Sequence, residues 1–185
     1  MGILGFLLVI VIAAALYCVS LYNGIVTKSN RCDTAWQTID TQLQRRYDLI
    51  PNLVETIQGY ASHEKSTLED VIKARSAAIA APTPEAAMEA NQNLTGALRQ
   101  LLAVAEAYPD LKANTNFLQL QSELTETENK ISYARQSYND CVLMYNNAIT
   151  TFPGTLIASH FGFTTRKGFE VASAEARQAP KVEFK

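Results

Sequence analysis

Residues 1–27 carry no Asp, Glu, Lys or Arg, and residues 3–21 are almost wholly apolar. At about 1.5 Å per residue this stretch makes a helix of nearly 30 Å, the thickness of a bilayer's hydrocarbon core. No other segment of the chain fits a bilayer. The membrane-anchor set is Ile3, Leu4, Phe6, Leu7, Leu8, Val9, Ile10, Val11, Ile12, Leu16, Val19 and Leu21. Everything after it is polar and helix-forming, so the chain reads first as a soluble helical bundle held on a membrane.

The alternatives to an uncleaved anchor each lack a required residue. A cleaved signal peptide wants a basic n-region, and no Lys or Arg precedes Ile3; the A-x-A site at Ala13–Ala15 falls inside the apolar run. A lipoprotein signal wants a small residue before its cysteine, and Tyr17 precedes Cys18. Myristoylation wants Ser or Thr where Phe6 stands. For orientation, the only nearby cations are Lys28 and Arg31, on the C-terminal side. The positive-inside rule then places the N-terminus outside and the bundle in the cytoplasm.

The rest of the 185-residue chain suits one domain. A net charge of −2 with no basic block excludes a nucleic-acid partner on electrostatic grounds. The mid-chain is rich in Ala, Leu, Gln and Glu, a composition that favours helix. Cys18, Cys32 and Cys141 form no Cys-x-x-Cys pair and read as small reduced hydrophobes.

The expected architecture is all-α: the transmembrane helix (residues 1–24) continues into an antiparallel up-and-down four-helix bundle over residues 25–151. A seam through Ile25, Cys32, Trp36, Ile39, Leu43 and Ile50 has helical spacing. It predicts a first bundle helix over 25–49, ended or kinked by Pro51. A second, over 51–80, carries Leu53, Val54, Ile57, Tyr60, Leu68, Val71 and Ile72. Pro82-Thr-Pro84 breaks the chain, with Thr83 as N-cap of a third helix over 84–107. After the turn at Tyr108-Pro-Asp110, a fourth over 114–150 carries Phe117, Leu124, Ile131, Tyr138, Cys141 and Tyr145.

Short connections make successive helices antiparallel neighbours, which returns the end of the fourth helix toward the bilayer. The short, irregular segment 152–163 would then be membrane-proximal. It reads either as a cap on the bundle or as an interfacial element, with Tyr22, Phe152, Leu156, Ile157, Phe161 and Phe163 as the candidate interface. The same geometry sets Cys32 and Cys141 at similar heights. Residues 164–185 read as an extended tail whose Val182 and Phe184 dock on a surface.

The stretches Tyr22-Asn-Gly-Ile-Val26, Asp33-x-Ala-Trp36 and Asp40-x-Gln-Leu-x-Arg-Arg-x-Asp-Leu-Ile-Pro-Asn-Leu-Val54 form an ordered series. It continues with Gly59-Tyr-Ala-x-His-Glu64, Ala107-Tyr-Pro-Asp-Leu-Lys-Ala113, Asn116-Phe-Leu-x-Leu-Gln121 and Glu126-x-Glu-Asn129. Tyr145-Asn146, Phe152-Pro-Gly154 and Ala179-Pro-Lys-Val-x-Phe184 complete it. This series resembles the LemA family of bacterial membrane proteins. The resemblance implies a single-pass anchor in a bacterial inner membrane and a helical bundle, and it implies no catalytic activity, cofactor or substrate.

Candidate chemistry is sparse. His63-Glu64 lacks the second histidine of H-E-x-x-H, since Thr67 stands there. Glu123, Glu126 and Glu128 have no histidine three positions on, as a di-iron bundle requires, and read as a solvated acidic face. Arg45 and Arg46 fall in the expected last turn of the first bundle helix, with Asp48 beside them. They read as local turn stabilisation or as a partner-docking corner. No nucleophile elbow or phosphate loop appears. The chain is therefore expected to be a non-enzymatic membrane scaffold without cofactors, touching lipid and other copies of itself. Ala13, Ala14 and Ala15 would permit close approach of anchors. An adaptor or sensor for another membrane protein, such as a protease or transporter, is the alternative; an enzyme with an unrecognised site ranks third.

Overall fold

A computed structural model describes residues 2–169. The described residues form helices joined by short turns, with no strand among them. The order is α1 (Gly2–Gln58), α2 (Lys65–Ile79), α3 (Pro84–Ala105), α4 (Pro109–Lys112), α5 (Thr115–Thr150) and α6 (Gly154–Phe161). They divide into two compact units: Asp40–Tyr133, and residues 2–39 with Ala134–Gly168.

α1 begins with the uncharged run and extends over 57 residues. The expected end at Pro51 is overturned, because the proline lies inside the helix. Proline removes the N–H that would bond the carbonyl of Tyr47, four residues back. Arg75 of α2 replaces that donor, its Nε reaching the Tyr47 oxygen at 2.7 Å. The helix stops instead at Gly59, a poor helix former, where the Tyr60 and Ala61 amides both turn back onto the Ile57 carbonyl at 3.0 and 2.8 Å. Ala61 is buried in this turn, and α2 starts only at Lys65.

Local signals set the remaining boundaries. Thr83 caps α3, its hydroxyl accepting from the Ala86 amide at 3.2 Å, with Pro84 at the first helical position. The Tyr108-Pro109 turn becomes the single helical turn α4, with Leu111 sealed beneath it. Asn114 opens α5 by accepting from the Phe117 amide at 3.0 Å.

The core of the Asp40–Tyr133 unit contains Leu43, Ile50, Leu53, Ile57, Leu68, Val71, Leu94, Leu101, Leu111, Phe117 and Ile131, all buried. Tyr60 and Ile72 fall off this seam, at 44% and 49% exposed. In the other unit Ile25, Cys32, Ile39, Tyr138, Val142, Tyr145 and Ile149 are buried, while Trp36 is half-buried with its ring 5.7 Å from that of Tyr138. Segment 152–163 is not irregular: Gly154–Phe161 is helical. Gly154 has to be glycine, since a Cβ there would lie 2.0 Å from the carbonyl oxygen of Ala148.

Candidate functional site

In the unit that holds the uncharged run, residues 2–20 of α1 are exposed along their whole length. The helix meets its first partner at Tyr22, whose ring lies 4.7 Å from Phe161 and 5.8 Å from Phe163. Gly162 makes this possible. Its φ of +74° is the left-handed conformation that ends α6, and the Phe163 amide turns back onto the Ala158 carbonyl at 3.0 Å. Three residues of the candidate interface, Tyr22, Phe161 and Phe163, thus converge. Ile157 is half-buried, whereas Phe152 and Leu156 stay 79% and 60% exposed.

Beyond Phe163 the chain has no regular structure through Phe169, yet it is firmly held. Arg166 forks onto Asp33, with nitrogen–oxygen distances of 2.5 and 3.3 Å, and donates to the Ser29 hydroxyl at 2.9 Å. Its guanidinium also sits 5.4 Å from the centre of the Tyr145 ring. The Asn146 side chain clamps the Arg166 backbone, accepting from its N–H and donating to its C=O, both at 2.9 Å. Tyr145 donates to the Thr164 carbonyl at 2.9 Å, and Tyr138 to that of Lys167 at 3.4 Å. Sequence reasoning missed Arg166. The available signal was that Asp33 and Tyr145-Asn146 stand out as motif residues with no partner close by in the sequence.

Asp33 holds Arg166 still more firmly in its charged form, against partial burial. Burial pushes the Tyr145 phenol and the Cys32 thiol up, and the neighbouring Cys141 raises Cys32 further. Cys32 is buried, Cys141 is half-buried, and both thiols are free. The cluster fastens the segment after α6 to α1 and α5; a raised thiol is a poor nucleophile. Among the described residues no three His, Cys, Asp or Glu side chains gather as a metal site would need. Val182 and Phe184 lie outside the described residues.

The Asp40–Tyr133 unit places the three residues of the expected docking corner in different settings. Arg45 is exposed, but Arg46 is fully buried, its Nε 2.8 Å from a Glu128 carboxylate oxygen and its Nη2 donating to Thr95 at 2.8 Å. Asp48 faces solvent and accepts from Gln44 at 2.8 Å. Arg45 and Arg46 do not lie in a last helical turn, since α1 runs on to Gln58. Glu128 likewise leaves the expected solvated acidic face to meet Arg46, while Glu126 pairs with Lys130, which lowers its carboxyl pKa. Beside Arg46 the Tyr47 hydroxyl accepts from buried Asn91 at 2.7 Å, and burial raises that phenol. A cavity of about 230 Å³ opens between Arg46, Thr95, Leu98, Leu102, Leu124 and Glu128. Its buried cation, Arg46, is paired with the Glu128 carboxylate.

The family model described as the LemA family matches residues 35–184. The chain belongs to the LemA family. Two copies of magnetosome protein MamQ from Paramagnetospirillum magneticum are each 25% identical to this LemA-family chain, in alignments that cover 80% of this chain and 64% of theirs. Protein LemA of Metamycoplasma hominis is 26% identical over 165 residues, 87% of this chain and 72% of its own. The LemA-family chain therefore spans just under two thirds of the MamQ relatives' length. None of these names carries an enzymatic activity. The first part of α1 is long and apolar enough to cross a membrane.

Proposed function

We propose that this chain is a non-enzymatic, membrane-anchored helical scaffold that self-associates at the membrane. The observation that carries the reading is the outward display of large apolar side chains along the start of α1, from Ile3 at 80% exposed to Val19 at 56%. Among the described residues no partner covers them, and lipid or the anchors of other copies would remove them from water. In this reading the soluble helices take the antiparallel up-and-down order that short connections favour. Lys28 and Arg31 set this part on the cytoplasmic side of a bacterial inner membrane.

Purification with native lipid into nanodiscs, followed by mass measurement and cross-linking, tests this directly. An oligomer is expected. A chain that stays monomeric under cross-linking overturns self-association, and a monomer that retains a different membrane protein would instead make it an adaptor.

A further inference from the structure

α6 is built inside out for a helix in water. Its fully buried residues are small, Gly154 and Ala158; Ile157 is half-buried, and the large apolar side chains Leu156 and Phe161 are 60% and 55% exposed. Phe152, just before it, is 79% exposed. A surface helix ordinarily turns its large apolar side chains inward and polar ones outward. Small residues toward the protein and large ones outward are the arrangement expected where the surroundings are themselves apolar.

The chain around α6 matches it. Residues 141–165 contain no Asp, Glu, Lys or Arg, a second uncharged run after that of residues 1–27. The two runs meet through Tyr22 and Phe161, with ring centres 4.7 Å apart. They also end together. Lys28 and Arg166 are the first charged residues after each run, and Arg166 donates to Ser29, the neighbour of Lys28, at 2.9 Å. The first charges on both segments therefore stand at one level, with only uncharged residues between that level and the anchor.

We propose that α6 is an interfacial helix whose outer face, with Phe152 and Leu156, lies in the boundary between headgroups and acyl chains of the bilayer that α1 enters. This rests on the membrane-anchored reading above. The occupant is lipid because the face continues directly from the apolar segment of α1 through Tyr22. Aromatic side chains are also enriched at that depth, and Tyr22, Phe161 and Phe163 gather there. Arg166 and Lys28 then mark the headgroup edge.

The test uses the full chain in phosphatidylcholine–phosphatidylglycerol vesicles. In a Trp36→Phe background, a single tryptophan is introduced by Leu156→Trp, Phe152→Trp or Val11→Trp. Lipids brominated near the headgroup are expected to remove most of the emission from positions 156 and 152, and to protect both from aqueous acrylamide. Lipids brominated near the chain ends should quench position 11. Quenching at 11 with positions 156 and 152 open to acrylamide and untouched by bromine overturns the interfacial helix and leaves the anchor standing. Protection of 156 and 152 from both quenchers places another copy of the chain there, and also overturns it. Absence of bromine quenching at position 11 removes the anchor itself and the inference with it.

Discussion

Arg75 Nε donates at 2.7 Å to the carbonyl oxygen of Tyr47, the oxygen that Pro51 leaves without its helical N–H. A side chain from α2 thus repairs the one gap that proline opens in α1. Loss of a charged donor to a partly buried carbonyl costs about 1–3 kcal/mol, and Arg75→Met is expected to destabilise the chain by that amount in urea unfolding. In a Pro51→Ala background the carbonyl regains an N–H donor, so the same substitution should cost markedly less. Equal costs in the two backgrounds would show that Arg75 acts through some other contact.

The buried pair Arg46–Glu128 predicts an asymmetry. Arg46 is fully enclosed, whereas the Glu128 side chain is 37% exposed. Glu128→Leu strands a buried cation and is expected to cost about 3 kcal/mol. Arg46→Met leaves a carboxylate that water can reach and should cost less. The double variant should recover part of the loss from Glu128→Leu. Thermal unfolding of the three variants checks the order, and a larger loss for Arg46→Met would contradict the burial seen here.

Gly154 approaches the Ala148 carbonyl so closely that a methyl group would fall 2.0 Å from its oxygen. Gly154→Ala therefore has to displace α6 or the end of α5. The expected cost is at the upper end of overpacking, about 3 kcal/mol, with separation of Tyr22 from Phe161. Hydrogen exchange across residues 154–163 should rise by an order of magnitude or more, the protection that about 1.4 kcal/mol represents. Unchanged exchange would mean that the close approach is easily relieved.

Cys32, Tyr47 and Tyr145 all have their pKa values raised by burial. Each folded pKa lies above its unfolded value, so the folded chain keeps a proton that the unfolded chain has released. Their contribution is complete below the ordinary thiol range of about 8.5, and is lost as pH climbs through that range and then the phenol range near 10. The melting temperature should fall on this alkaline limb, and Cys32→Ala should flatten its first part. A melting temperature independent of pH there, or an unchanged slope in Cys32→Ala, would remove the thiol from the account.

Much of the helical pattern is legible because burial follows a period that the chain itself carries. Ile25, Cys32, Ile39, Leu43 and Ile50 recur at steps that bring them onto one stripe of α1, and they are buried. Thr83-Pro84 and Asn114 are start signals that act through bonds three residues away, so they too can be read locally. Pro51 misleads for the same reason. Its penalty is local, and the compensating donor, Arg75, is 24 positions along the chain. Arg46 misleads similarly, since it looks solvated until Glu128 and Thr95, far away in sequence, come to it.

The sequence by itself determined that this is a helical chain with a membrane-length apolar start, because composition, spacing and missing charges are properties of neighbours. Only the tertiary structure decided where α1 ends, that Arg46 is buried, and that Arg166 is the residue on which Asp33, Tyr145 and Asn146 meet. It also turned the aromatic segment after α5 into a helix whose Phe161 ring lies 4.7 Å from that of Tyr22. Those outcomes depend on which distant donors, carboxylates and rings the packed helices bring together, and no local period encodes that.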